Sequence, residues 1–478
     1  MAVGSSNSFD LVVLGGGTGG YSAAFRAAQM GLRTALVEEA RIGGTCLHWG
    51  CIPTKAMLES ADLYARIRDA ATFGLRVGET GVDMGAIARR RTQVVDRLTK
   101  GLMSLVKKNQ VEFVRGHGVL ERATTVRVAL AGEDGTPGAG GERLLDATDV
   151  ILATGSRVKS LPGLVPDGTH IVTSDDVLRS DTLPKSLVVV GAGAVGVEFA
   201  SFYRDMGAEV TLLEYLPSVV PLEDAEVGQV LERAFRRRGI SVMTSARFDP
   251  AAVTVDGDGV RLSVGPEGKE PKELRAEQML VATGRAANVE GIGLEKTRAV
   301  VERGVVKVDG RMRTAEPHLY AIGDLVGGLL LAHVAAHEGI AAVEAICGLE
   351  PHPIDYTVMP RATYSRPQIA SIGRSEQELQ RDGVPYTVGK FPWTANAKAL
   401  IGGEYDGFAK MLAHAETDQV LGVHLVGPHV TDLIAEPSVG MLLESTAWEI
   451  ASAVHPHPTL SEAIGEAAMA VAGRSINF

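Results

Sequence analysis

Leu11-Val-Val-Leu-Gly15-Gly-Gly17-Thr-Gly-Gly20 is a short apolar strand that runs directly into a glycine-rich turn, and an Ala-rich helical stretch follows it. Further along, Leu187-Val-Val-Val-Gly191-Ala-Gly193-Ala-Val-Gly196 repeats the arrangement, again ahead of a helical stretch. A second apolar strand closes each unit. Thr34-Ala-Leu-Val37 ends at Glu38 and Val210-Thr-Leu-Leu213 ends at Glu214, in both cases 23 residues after the first glycine. One G-x-G-x-x-G carries little weight in a chain with 56 glycines among 478 residues, because about one match is expected by chance at that frequency. Two matches in the same strand–turn–helix setting, each with an acid at the same distance, predict two dinucleotide-binding βαβ units.

The chemistry of such a unit follows from its parts. Glycines at Gly15, Gly17 and Gly20, and at Gly191, Gly193 and Gly196, let backbone N–H groups approach a pyrophosphate at the positive end of a helix. Glu38 and Glu214 are placed to accept hydrogen bonds from ribose hydroxyls. Glu214 would repel a 2′-phosphate, and Tyr215-Leu-Pro-Ser-Val-Val220 contains no arginine to bind one. The second unit is therefore expected to take NAD rather than NADP. A Rossmann-like fold with one empty site is the alternative. Val150-Ile-Leu-Ala-Thr154-Gly155-Ser-Arg and Met279-Leu-Val-Ala-Thr-Gly284-Arg-Ala form a second internal echo. Both read as buried strands that return beneath their own nucleotide.

Composition narrows the class. Lys and Arg number 47 against 58 Asp and Glu, a net charge of −11. That balance argues against a general nucleic-acid or membrane-surface binder. Hydrophobic residues make up 45% and charged residues 22%, ordinary globular usage, and a chain this long can bury several cores without disulfide staples. No charge-free apolar run reaches the length of a membrane span. The first ten residues, MAVGSSNSFD, lack the basic and apolar segments of a signal peptide. With three cysteines only, the chain is expected in a reducing, cytoplasmic compartment. The cluster AGEDGTPGAGGE over 131–142 reads as a hairpin tip. Past residue 350, alternating segments such as Gln368-Ile-Ala-Ser-Ile372 and Val420-Leu-Gly-Val-His-Leu-Val426 predict an antiparallel sheet with flanking helices.

Two further segments carry candidate chemistry. In Gly43-Gly-Thr45-Cys46-Leu-His-Trp-Gly-Cys51-Ile-Pro-Thr-Lys55 the cysteines are five apart. In a regular helix that spacing separates Cα atoms by about 8.6 Å, whereas a disulfide needs about 4.4–6.8 Å. A bridge thus requires an irregular helix start, which Gly50 allows, and a helix start also lowers a thiol's pKa. A redox-active pair beside a flavin, a metal site of Cys46, His48 and Cys51, and inert thiols are the competing readings. Near the C-terminus, Val454-His455-Pro-His457-Pro-Thr-Leu-Ser-Glu462 offers a histidine base with a carboxylate to orient it.

Taken together, GGGTGG, GGTCLHWGCIPTK, ATGSR, GAGAVGVEF, Tyr320-Ala-Ile-Gly323-Asp324 and HPHPTLSE resemble, in this order, the flavin-dependent pyridine nucleotide–disulfide oxidoreductases. The resemblance covers nearly the whole chain and is strongest to members that oxidise dihydrolipoamide. It implies an α/β fold of two Rossmann-like domains, for FAD and NAD, plus an α+β C-terminal dimerisation domain. The implied division is 1–150 and 281–350 for the FAD and central part, 151–280 for NAD, and 351–478 for the interface. It also implies FAD along Gly15, Gly17, Gly20, Glu38, Thr45, Gly118, Thr154 and Gly155. Lys55, paired with Glu198, would lie near the flavin ring, with Asp324 at the ribityl–phosphate region and Ala332 at a backbone contact. NAD would follow Gly191, Gly193, Gly196, Glu214 and Gly284. Cys46 and Cys51 would form the redox-active disulfide, served by His457 and Glu462 across a homodimer. Lipoyl domains of 2-oxoacid dehydrogenase or glycine cleavage complexes are the implied partners.

The chain departs from the usual pattern at His48-Trp49, where the family commonly has Asn-Val. That pair is similar to soluble flavin transhydrogenases, which lack the second cysteine kept here as Cys51. A flavin-dependent transhydrogenase or another NAD(P)H-dependent disulfide reductase is the alternative activity, and a nucleotide-sensing or scaffold protein without turnover the alternative class.

Overall fold

Each half of the sequence repeat folds as a parallel sheet with the same order of strands. The structure, a computed structural model, describes residues 7–132, 135–136, 138–266 and 270–478. Most of the leader reading of residues 1–10, and positions 133, 134 and 137 of the turn cluster, lie outside the described residues. Two compact units emerge. The first comprises residues 1–56, 89–158 and 285–354, and the second residues 57–88, 159–284 and 355–478.

In the first unit, Ser8–Leu14 pairs in parallel with Thr34–Glu38 on one side and with the end of Glu142–Leu152 on the other. The start of Glu112–Arg122 and the strand Leu319–Ala321 complete the parallel sheet. Leu11, Val12, Val13 and Leu36 are fully buried, as expected of strands covered on both faces. The remainder of Glu112–Arg122 turns antiparallel with Thr125–Leu130, which pairs with the start of Glu142–Leu152. The cluster over 131–142 therefore joins two hairpin strands, in line with its turn-rich sequence. Two helices pack closely through glycine. A Cβ added to Gly339 of Ala332–Ile346 would stand 2.7 Å from the carbonyl oxygen of Gly19 in Thr18–Gln29.

The second unit repeats the plan. Its parallel order is Ser241–Met243, Glu209–Leu213, Ser186–Val190, Gln278–Val281 and Ile171–Thr173. The outermost strand comes from before the repeat here and from after it in the first unit. The same unit contains the predicted antiparallel sheet, with Arg361–Thr363, Gln368–Gly373, Val420–Gly427, Phe408–His414 and Tyr386–Pro392 in that order. Glu462–Val471 lies on it so tightly that a Cβ on Gly389 would stand 2.0 Å from the Ala467 carbonyl oxygen. The one lysine buried completely in this unit's described core, Lys410, is matched by Asp224 at 3.1 Å, Glu226 at 2.9 Å and Glu376 at 2.5 Å. Such a charge persists in a core only with partners of this kind. Among the described residues no helix is long and apolar enough to cross a membrane.

Candidate active site

The two glycine turns can be compared atom for atom. Gly15 has φ 110° and Gly191 has φ 102°, a region that favours glycine. A Cβ on Gly15 would sit 2.2 Å from the Ala153 carbonyl oxygen, and one on Gly191 2.4 Å from that of Ala282. A Cβ on Gly20 or Gly196 would sit 1.8 Å from the carbonyl oxygen of Gly15 or Gly191. These four glycines are demanded by the protein's own packing. Gly17 and Gly193 are different, since a Cβ there meets nothing within 4 Å. Open space over a glycine at a helix N-terminus fits a pyrophosphate that needs close backbone approach.

The acids brace these turns. Glu38 accepts from the N–H groups of Gly16 and Ala40, both at 2.7 Å. Glu214 accepts from Ala192 at 2.7 Å and Leu216 at 2.8 Å. A carboxylate has about four lone-pair sites, so both acids keep capacity for ribose hydroxyls. Burial pushes the Glu38 carboxyl above its ordinary pKa, against the pull of the Ala40 and Gly16 N–H groups.

A cleft of about 490 Å³ opens over the first turn. Gly15, Gly17, Glu38, Thr45, Gly118, Thr154 and Gly155 all line it. Gly20, Lys55, Asp324 and Ala332 do not line it. Gly20 lies beneath the turn, and Ala332 opens the helix Ala332–Ile346 behind the cap residue Leu331. Gly118 is kept small by Leu14, whose Cδ1 a Cβ would approach to 2.4 Å. The open space, the helix N-terminus and the strand-end carboxylate fit a dinucleotide such as FAD. Asp324 accepts a short hydrogen bond from the Ser156 hydroxyl, and Arg285 Nε donates to that hydroxyl at 2.6 Å. Neither Ser156 nor Arg285 stands out in the sequence, although both directly follow the echoed glycines Gly155 and Gly284. Asn288 was also missed. It donates to the Thr154 carbonyl oxygen at 2.9 Å while the Thr154 hydroxyl donates to its own carbonyl oxygen at 3.0 Å.

The cysteines sit at a break between two helices. Gly44–His48 stops at Trp49, with φ −134° and ψ 20°, and Cys51 opens Cys51–Arg68. The irregularity that the five-residue spacing requires is thus present. A Cβ on Gly50 would come within 3.1 Å of the Thr45 carbonyl oxygen, so the bend stays tight. The two thiols are hydrogen-bonded to each other, with the Cys51 N–H also directed at the Cys46 sulfur. The hydrogen bond to Cys51 raises the Cys46 thiol's pKa most, then burial, then repulsion by Cys51 charge; Lys55 pulls the other way. Cys51 is the first residue of an 18-residue helix, whose positive end favours a thiolate there. The expectation that a helix start lowers thiol pKa does not hold for Cys46. Tyr21, missed in the sequence, lies within electrostatic reach of both sulfurs, although burial is what chiefly raises its hydroxyl's pKa. His48 Nε2 bonds the Ile42 carbonyl oxygen at 2.9 Å, and Trp49 lines the cleft.

In the second unit, His457 Nδ1 lies 2.8 Å from Glu462 Oε1, and Thr459 N–H donates to the other carboxylate oxygen at 2.8 Å. Burial acts to raise the Glu462 carboxyl, but the Thr459 N–H and His457 outweigh it and hold its pKa below the ordinary value. The neighbouring His455 has its own carboxylate, Glu436, at 2.7 Å. Exposure separates the two: the His457 side chain is 74% exposed and that of His455 12%. Only His457 is open to an incoming molecule. Glu198 is buried on Ala194–Met206 and accepts from the Tyr364 N–H at 2.9 Å. Gly284 faces open space at φ 112°.

Paired nucleotide turns, a hydrogen-bonded sulfur pair at a helix break and a carboxylate-oriented histidine fit a flavin-type disulfide oxidoreductase, and the chain belongs to the pyridine nucleotide-disulphide oxidoreductases. That family's sequence pattern matches residues 9–339, and the pattern of its dimerisation domain matches residues 359–468. The chain is 46% identical to dihydrolipoyl dehydrogenase of Bacillus subtilis (strain 168), over 99% of this chain and 100% of that protein. It is 43% identical to dihydrolipoyl dehydrogenase of Zymomonas mobilis subsp. mobilis, over 99% and 100%. The crystal structure of LpdA from Mycobacterium tuberculosis aligns with a TM-score of 0.87 at 30% identity, covering 96% of this chain and 98% of that one.

Proposed function

We propose that this chain is a dihydrolipoyl dehydrogenase, which oxidises protein-bound dihydrolipoamide to lipoamide and reduces NAD⁺. The observation that carries the reading is the sulfur pair at the helix break, two cysteines in hydrogen-bond contact with Cys51 opening the helix Cys51–Arg68. FAD bound in the first unit supplies the two-electron chemistry between that pair and NAD⁺. Gly15, Gly17, Gly20, Glu38, Thr45, Gly118, Thr154, Gly155, Asp324 and Ala332 would hold it, and Lys55 and Glu198 would serve the same cofactor. NAD⁺ is held by Gly191, Gly193, Gly196, Glu214 and Gly284. The functional division is 1–150 and 281–350 for FAD and the centre, 151–280 for NAD, and 351–478 for dimerisation.

The residues divide the thiol half-reaction between them. His457, oriented by Glu462, removes a proton from one substrate thiol. The resulting thiolate attacks Cys46 Sγ of the oxidised pair, so the Cys46–Cys51 bond breaks and Cys51 leaves as a thiolate. The substrate's second sulfur then attacks the first and closes the lipoamide disulfide; its proton passes to Cys46, which leaves as the thiol, while the proton taken first stays on the His457 imidazolium. The helix start at Cys51 and the charge of Lys55 stabilise the thiolate left behind. In the active homodimer, His457 and Glu462 serve the cysteines of the second subunit. The partners are lipoyl domains of 2-oxoacid dehydrogenase or glycine cleavage complexes, in the cytoplasm.

Turnover of dihydrolipoamide, glutathione and Hg²⁺ with NAD⁺/NADH and NADP⁺/NADPH tests the reading. Dihydrolipoamide with NAD⁺ should exceed every other pair, and a preference for glutathione or mercury would overturn it. His457→Ala should slow dihydrolipoamide oxidation by about 10²–10⁴-fold while NADH still reduces artificial acceptors. Equal loss of both activities contradicts the role given to His457.

A further inference from the structure

The residue after the ribose acid of the second unit is Tyr215, and the fold lays a cation on it. Arg247 stands on the short strand Ala246–Arg247, and the Ala246 N–H bonds the Glu214 carbonyl oxygen at 2.8 Å. From there Arg247 Nη1 donates to the Tyr215 carbonyl oxygen at 2.7 Å. Its guanidinium carbon lies 3.6 Å from the centre of the Tyr215 ring. The ring itself is well exposed, Tyr215 being 66% accessible. An arginine absent from residues 215–220 is thus delivered from 32 residues further along the chain.

Given that the second unit binds a pyridine nucleotide, as proposed above, we propose that Arg247 makes this a latent NADP site, in which Glu214 alone enforces the preference for NAD⁺. The chemistry is that of a phosphate monoester meeting a guanidinium. Arginine binds phosphate through paired, charge-assisted N–H donors. Here the group is fixed in advance by a hydrogen bond and by the aromatic face beneath it, so little side-chain freedom remains to be lost on binding. Glu214, braced by the Ala192 and Leu216 N–H groups, puts a fixed negative charge at the same corner. A 2′-phosphate meets repulsion from Glu214 and attraction from Arg247 together. Removing the acid therefore does more than relieve repulsion, because it exposes a cation already in position.

The test is a comparison of the holoenzyme with its Glu214→Ser and Glu214→Ser/Arg247→Gln variants. Glutamine at 247 keeps a donor for the Tyr215 carbonyl and removes the charge. NADP⁺ and NAD⁺ binding is measured by titration calorimetry, and kcat/KM is measured with each coenzyme. Glu214→Ser should bind NADP⁺ about 10- to 100-fold more tightly than the wild type, the range expected of a hydrogen bond to a charged group. The double variant should lose most of that gain, and its NAD⁺ affinity should follow that of Glu214→Ser. High salt should erode the gain in the single variant and not in the double. Equal NADP⁺ affinity in the two variants, or no gain in either, overturns the role of Arg247. A wild-type holoenzyme that binds neither coenzyme overturns the reading of the second unit itself, and thermal melts of all three proteins show whether folding is shared.

Discussion

The first and second nucleotide units share their backbone and differ in what interrupts it. In both, a left-handed glycine lies under a carbonyl, a later glycine lies under the first, and an acid 22 residues past the turn's N–H braces it. Beyond the acid the two chains of events diverge. After Glu38 the first unit inserts a loop and two helices that carry Cys46, Cys51 and Lys55. After Glu214 the second unit enters a turn carrying Tyr215 and continues to the helix Ala225–Arg237. The nucleotide turn is thus a property of the repeated backbone, whereas the sulfur pair is a property of the insertion. The same sheet can hold a resident cofactor in one copy and a diffusing coenzyme in the other.

The largest effect should come from removing the sulfur chemistry from the first unit. Cys51→Ser leaves both nucleotide turns intact and removes the leaving thiolate. Dihydrolipoamide oxidation should fall by at least the roughly 10²–10⁴-fold lost with an acid–base group, while flavin content and NADH binding persist. A variant that keeps thiol turnover would show that the insertion does not set the reaction. Next in size is the packing shared by both copies. Gly15→Ala and Gly191→Ala each place a Cβ within 2.4 Å of a carbonyl oxygen at positive φ. Backbone strain alone costs about 1–3 kcal/mol, and relief of the overlap adds to it. Chemical denaturation should show losses of similar size, about 3 kcal/mol or more for each. A large loss for one and none for the other would break the equivalence of the turns.

The shared backbone was legible in sequence because it is local. Gly15 with Glu38 and Gly191 with Glu214 lie at a fixed spacing that a strand, a turn and a helix impose. The break before Cys51 was legible on one of the competing readings, the redox pair, since a five-residue spacing cannot be bridged on a regular helix. Partnerships set by sheet register left no such trace. Ser156 meets Asp324 across 168 residues, Arg285 meets Ser156 across 129, and Arg247 reaches Tyr215 across 32. The direction of the Cys46 shift was hidden for another reason, because it depends on the hydrogen bond to Cys51 and on burial.

The middle glycines give a smaller and more selective contrast. Gly17 and Gly193 are the helix cap residues at φ −68° and −72°, a conformation that alanine adopts freely. Gly17→Ala and Gly193→Ala should each change stability by no more than about 1 kcal/mol, the range of a cap substitution. On the proposed reading their Cβ atoms enter the space of the pyrophosphate, where the protein itself offers nothing within 4 Å. Gly17→Ala should weaken FAD retention and spare NAD⁺ binding, and Gly193→Ala should do the reverse, each by roughly 10-fold, the equivalent of about 1.4 kcal/mol. If either substitution weakens both ligands alike, the two units are not independent sites.

The smallest effect concerns protons at the first acid. Burial raises the Glu38 carboxyl above the ordinary value of 4.5, ahead of the opposing hydrogen bonds. In the ligand-free protein its contribution to stability is therefore complete below pH 4.5 and is lost as pH rises through the raised value. Ribose hydroxyls that donate to Glu38 favour its charged form and draw that pKa back down. FAD binding to the apoprotein should then release a proton in the window just above pH 4.5. Its affinity should climb with pH through that window and level off above it. Calorimetric titration in two buffers of different ionisation enthalpy measures the release directly. It should vanish well above that window and in Glu38→Gln at every pH. Proton uptake on binding, or the same release from Glu38→Gln, would show that Glu38 only braces the turn and does not meet the ribose. Release that depends on Glu38 would instead establish that one carboxylate serves both tasks, holding the turn through Gly16 and Ala40 while its remaining lone pairs bind the ligand.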